Sequence, residues 1–148
     1  MPISLRDSIA CKEDLPRTDA VLMGRAELLA PADRDLLEAV LIRSQPVAAL
    51  GRIMNVDARS LRMRIHRLGK RLSSRRFLDA ARSLPYLDAE SARLARLHFC
   101  QKTSIIDLAR QEGISRYTMR LRIDRIAAQI QAVKRVNHLR SQAQMTFK

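Results

Sequence analysis

The chain is poor in the residues on which several common chemistries rest. It has four glycines in 148 residues, too few to supply phosphate-cradling loops together with many tight hairpins. Aromatic residues make up 3% and Trp is missing, so a base-stacking platform for RNA is poorly supplied. Cys11 and Cys100 are the only thiols, and a single pair is not a disulfide framework. Cys100 lies in an apolar stretch and reads as a small core residue. His66, His98 and His138 stand far apart, with no ligand spacing to either Cys, so no metal site is expected. No nucleophile motif, Walker loop or carboxylate pair appears, so the expectation is a non-enzyme without catalytic residues or cofactors. No apolar run approaches the roughly 18 residues of a membrane span. The opening residues, MPISLRDSIACKEDLP, carry acids and lack the apolar core of a signal peptide. The expected setting is a reducing compartment that holds nucleic acid, such as the bacterial cytoplasm and its nucleoid.

What is abundant is apolar and basic. Apolar residues make up 47%, enough to bury a core. Lys and Arg number 28 against 15 Asp and Glu, a net charge of +13, which favours polyanionic partners. The excess is unevenly placed. Residues 1–29 carry four bases and five acids, whereas 30–82 and 83–148 each carry twelve bases and five acids. No acid lies between Asp57 and Asp79, a stretch that contains Arg59, Arg62, Arg64, Arg67, Lys70, Arg71, Arg75 and Arg76. Such a single-sign run repels itself unless an anion accompanies it, and phosphate is the expected anion.

The two basic segments are one sequence written twice. Shifted by 58 residues, SLRMRIHRL (60–68) lies over TMRLRIDRI (118–126) without a gap. Leu29, Leu36, Leu50, Arg52, Arg62, Arg64, Ile65 and Arg67 match Leu87, Leu94, Leu108, Arg110, Arg120, Arg122, Ile123 and Arg125. Asn55 lies over Gly113, the residue types that best tolerate a left-handed turn after a helix. Asp57 lies over Ser115, and both are good N-caps. Pro46 suits the first turn of a short helix, and Ser104 with Asp107 forms a capping box at the same place in the second copy. Leu61, Ile65, Leu68 and Leu72 step by helical intervals, and Met119, Ile123, Ile126 and Ile130 step identically.

These patterns predict an all-α protein of two tandem helix-turn-helix units with a long C-terminal helix. The expected boundaries are an N-terminal segment 1–28, unit one 29–76, a connector 77–86, and unit two 87–148. The last helix is expected over about 116–142, its stripe continuing through Val133 and Val136. Such a helix either packs back on unit one or joins two copies of the chain. Gly69 falls inside a helix and marks either a fray or a close contact.

IDLARQEGISRYTMRLRIDRI (106–126) and SLRMRIHRLGKRL (60–72) resemble region four of bacterial sigma factors, especially the extracytoplasmic-function type. Leu84-Pro85 and Leu29-Ala30-Pro31 stand where that family has a Leu-Pro-led helix. Gly51 replaces the family's usual Ala and Asp57 its usual Ser, both tolerable departures. The resemblance implies DNA binding by the second helix of each unit, or attachment to RNA polymerase. A sigma factor also needs a promoter-melting region with exposed aromatics. The 28 residues before unit one are too few for it and contain no Phe, Trp or Tyr, so a complete sigma factor is not expected.

Helical phase selects the outward faces. In unit one, opposite the apolar stripe, stand Arg59, Met63, His66, Arg67 and Lys70, flanked by Ser60 and Arg62. In unit two the same face holds Arg116, Tyr117, Leu121, Asp124, Arg125 and Ala128, flanked by Thr118 and Arg120. Arg can fork onto guanine or phosphate, and Met, Leu and Thr can touch a thymine methyl. The expected DNA-binding residues are thus Arg59, Ser60, Arg62, Met63, Arg67, Lys70, Arg116, Tyr117, Thr118, Arg120, Leu121 and Arg125. Arg64 and Arg122 lie nearer the core edge and are expected to bridge to phosphate or to another helix. Leu121 and Asp124 are odd for pure DNA contact. They keep open a rival reading, an adaptor in which one unit holds RNA polymerase or a sigma partner.

Overall fold

A computed structural model describes residues 19–146; Cys11 and the opening residues lie outside them. The described residues are helical and contain no strand. No helix among them is long and apolar enough to cross a membrane. The chain divides into two compact units between Ser74 and Arg75. The first holds α1 (Asp19–Ala26), α2 (Pro31–Leu41), α3 (Val47–Met54) and α4 (Ala58–Ser73). The second holds α5 (Arg75–Ser83), a 3-10 turn at Leu84–Tyr86, α6 (Ala89–Ala95), α7 (Ile105–Glu112) and α8 (Arg116–Thr146). A π-helical turn, Arg96–Cys100, extends α6.

The element starts keep the sequence interval. Helices α2, α3 and α4 begin at Pro31, Val47 and Ala58, and α6, α7 and α8 begin 58 residues later at Ala89, Ile105 and Arg116. Left-handed residues keep it too: Ser44 and Asn55 in unit one, Lys102 and Gly113 in unit two. Pro46 serves as the N-cap of α3 rather than inside its first turn.

The fold departs from the expected boundaries at both ends of unit one: residues 19–26, expected in the N-terminal segment, fold as α1 of unit one, and Arg75 and Arg76, expected in unit one, open α5 of unit two. Residues assigned to a connector, 77–86, largely belong to α5 and its following turn, and α5 is part of unit two. Phe77 and Ala80 are fully buried there, and α5 packs on α8. In unit one, α1 packs on α4 in the same way, with Leu22 and Ala26 buried and Arg25 Nη1 donating to the Leu72 carbonyl at 3.3 Å. Each unit is therefore a group of four helices, the first covering the last. Helix α1 is weakly amphipathic, which hid it from apolar spacing; α5 is strongly amphipathic, but Phe77 is its one large buried side chain.

Helices α4 and α8 are each held in their own unit by a buried stripe. Leu61, Ile65, Leu68 and Leu72 are at most 2% exposed, and Met119, Ile123, Ile126 and Ile130 at most 4%. Burying each such side chain stabilises the fold by about 1.5–3 kcal/mol. Gly69 is buried in mid-helix, so it marks a close contact and not a fray. Helix α8 reaches Thr146, beyond the expected 142, but its stripe does not continue as expected: Val133 is half-buried and Val136 exposed.

Gly51 answers to a specific contact. A Cβ there would meet the Val56 carbonyl oxygen at 2.8 Å. The Val56 N–H donates to the Gly51 carbonyl at 2.8 Å, drawing the turn against α3; in unit two Ile114 makes the same bond to Ala109 at 3.0 Å. The glycine is thus required by a tight turn and is more than a tolerated departure. Gly51→Ala is expected to destabilise unit one by about 1–3 kcal/mol through overpacking. It should do so despite a helix-propensity gain of roughly 1 kcal/mol. Ala109→Gly should cost unit two only about 1 kcal/mol, the propensity term. Urea unfolding followed by circular dichroism checks both, and a more stable Gly51→Ala protein would contradict the contact.

Candidate nucleic-acid interface

Each unit sets the start of its last helix, α4 or α8, through the same local devices. Asn55 ends α3 with φ 53° and ψ 43°, and Gly113 ends α7 with φ 65° and ψ 29°. One left-handed residue turns the chain sharply at little cost when it is Asn or Gly. Capping then starts the next helix. The Asp57 carboxylate accepts the Ser60 N–H at 3.0 Å, and the Ser115 hydroxyl accepts the Thr118 N–H at 3.1 Å. Upstream, Ser104 caps α7 through the Asp107 N–H at 3.1 Å, and its hydroxyl donates to the Asp107 carboxylate at 2.7 Å. The return leg of this capping box therefore reaches the hydroxyl of Ser104.

With the apolar stripe inward, the opposite face is outward. All twelve residues expected to bind DNA are exposed: Arg59, Ser60, Arg62, Met63, Arg67 and Lys70 on α4, and Arg116, Tyr117, Thr118, Arg120, Leu121 and Arg125 on α8. His66 is half-buried and stands at the margin of the face. Ser60 and Thr118 have a second role. The Ser60 hydroxyl donates to Asp57 at 3.3 Å, and the Thr118 hydroxyl lies 2.8 Å from the Ser115 hydroxyl. Both belong to the caps that set the helix starts.

Ion pairing sorts the cations into two groups. Arg64 forks onto Asp33 of α2 with Nε at 3.0 Å and Nη2 at 2.6 Å, and Arg71 approaches the same carboxylate at 3.9 Å. Arg122 donates to Glu90 of α6 at 3.1 Å. Lys134 pairs with Asp79 of α5 at 3.0 Å. These cations clamp α4 and α8 to their own units. By contrast Arg59, Arg62, Arg67, Lys70, Arg116, Arg120 and Arg125 have no carboxylate partner among the described residues. Among the described residues, the outward set keeps its positive charge unpaired.

Sequence reasoning missed the carboxylates of this arrangement. Asp33 and Glu90 lie on preceding helices, one position apart in the repeat frame, so no fixed spacing points to them. The two faces also differ in character. Unit one offers cations around Met63, 49% exposed. Unit two offers Tyr117 at 73% and Leu121 at 49%, with exposed Asp124 beside Arg125.

The described residues gather no group of three His, Cys, Asp or Glu side chains that could hold a metal. His98 Nδ1 donates to the Thr103 carbonyl at 2.9 Å, tying the π-helical turn to the residues after it. Cys100 is wholly buried, and burial pushes its thiol up to about 11, so it stays protonated and unreactive near neutral pH. Compared with known proteins, the chain matches no protein family, no curated protein and no solved structure.

Proposed function

We propose that the chain is a sequence-specific transcriptional regulator of the bacterial cytoplasm that binds double-stranded DNA. In this reading α4 and the N-terminal third of α8 enter the major groove, each with its outward face toward the bases. The observation that carries the reading is a set of seven exposed Arg and Lys side chains on those two faces that have no carboxylate partner among the described residues. The net charge of +13 and the likeness to sigma region four support it. In this reading Arg62, Arg67, Arg120 and Arg125 would meet phosphate or guanine, and Met63 and Leu121 thymine methyl groups.

Salt titration tests the phosphate contacts. Arg62→Ala combined with Arg67→Ala is expected to weaken binding to a duplex while leaving helical content unchanged. If both contact phosphate, the slope of log K against log salt should flatten by about 1.8. Unchanged affinity and slope would remove α4 from the interface.

A second reading rests on Tyr117, Leu121 and Asp124, which give the face of unit two an apolar and partly acidic character. Under it, that face holds RNA polymerase or another protein. Leu121→Ala separates the two. As a base contact it should cost about 1–3 kcal/mol in DNA affinity and relax preference at one position. As a protein contact it should spare DNA binding and weaken retention of RNA polymerase on the immobilised chain. Thermal stability should hold in either case, because Leu121 is half-exposed.

A further inference from the structure

The last third of α8 is not explained by DNA reading. At about 1.5 Å per residue the 31-residue helix is roughly 46 Å long. Its buried residues end at Ile130. Beyond that point Val136 is 48% exposed and Leu139 63%, with exposed Ala132 and Ala143 one turn to either side. Steps of four, three and four place these four side chains in one stripe, the spacing of a helix–helix seam. It starts at a different phase from the buried stripe, so it does not continue the core of unit two.

Charge narrows what can cover it. Asp124 is the last Asp or Glu in the sequence, and Arg125, Lys134, Arg135, Arg140 and Lys148 follow. Arg135 and Arg140 flank the stripe on opposite sides and have no carboxylate partner among the described residues. Arg135 also borders a groove of about 550 Å³ between α5 and α8, where Arg82 adds positive charge and Asp79 is engaged by Lys134. Two copies of this tail laid together would bring only like charges alongside the seam. Nucleic acid would satisfy the cations but leave Val136 and Leu139 in water.

We propose that this outer face of α8 docks an acidic amphipathic helix of another protein, its apolar side on Val136 and Leu139 and its carboxylates on Arg135 and Arg140. The proposal is independent of DNA reading, which uses the other end of the helix. The probe is a labelled three-heptad peptide with Leu at a and d and Glu at e and g. Fluorescence anisotropy with the full chain should show saturable binding. Val136→Ser with Leu139→Ser should weaken it at least tenfold, as should Arg135→Gln with Arg140→Gln. A peptide with Lys in place of Glu should bind at least tenfold more weakly. Absence of binding, equal binding of the two peptides, or indifference to both double variants would overturn the proposal. So would a dimer in sedimentation that Val136→Ser with Leu139→Ser dissociates, since the seam would then belong to a second copy. A loss of duplex affinity on Arg135→Gln with Arg140→Gln, without loss of peptide binding, would assign the tail to DNA instead.

Discussion

The hydrogen bond that closes each tight turn governs the orientation of α4 and α8. Val56 donates back to Gly51, and Ile114 donates back to Ala109. With Asn55 or Gly113 in the left-handed region between them, the chain can leave one helix and enter the next within three residues. That bond fixes where the second helix starts. The start fixes which side of it carries Leu61 and Ile65, or Met119 and Ile123, into the core. Everything outward follows from that rotation. In unit one the constraint is tight enough to forbid a methyl group at Gly51.

Charge is arranged around the same rotation. Cations at the edge of the buried stripe meet carboxylates on neighbouring helices, Arg64 with Asp33 and Arg122 with Glu90. These pairs are partly exposed, and each contributes about 0–1 kcal/mol in isolation. Their larger consequence is positional: they occupy the acids that could otherwise neutralise the outward face. Arg59, Arg62, Arg67 and Lys70, exposed and without a carboxylate partner among the described residues, face water. A phosphate backbone would replace that water and release counterions, which drives association.

Much of this was legible from residues. The helical class and helices α4 and α8 follow from the apolar spacing of Leu61–Leu72 and Met119–Ile130, because a buried stripe needs large side chains at fixed intervals. The caps at Asp57, Ser104 and Ser115 follow from side chains that can accept a backbone N–H. The outward positions of the twelve candidate residues follow from phase alone. Helix α5 is strongly amphipathic, with Arg75, Arg76 and Arg82 exposed and Phe77 and Ala80 buried, so a signal for it was present. Other features had little or no local signature. Helix α1 is weakly amphipathic, so its periodicity is faint. Ser44 and Lys102 adopt left-handed conformations although neither is Gly or Asn, so tertiary packing imposes what residue preference does not announce. The π-helical turn at Arg96–Cys100 and the clamps to Asp33 and Glu90 depend on contacts between elements, which no spacing within one helix encodes.

The central claim is that the unpartnered outward cations meet DNA. Arginine modification by phenylglyoxal, read residue by residue by mass spectrometry with and without a duplex, tests it most directly. Arg59, Arg62, Arg67, Arg116, Arg120 and Arg125 should be protected by DNA. Arg43 and Arg110, whose side chains are 66% and 78% exposed away from the two reading faces, should remain reactive. Protection of Arg43 and Arg110 with continued modification of the other six would contradict the account.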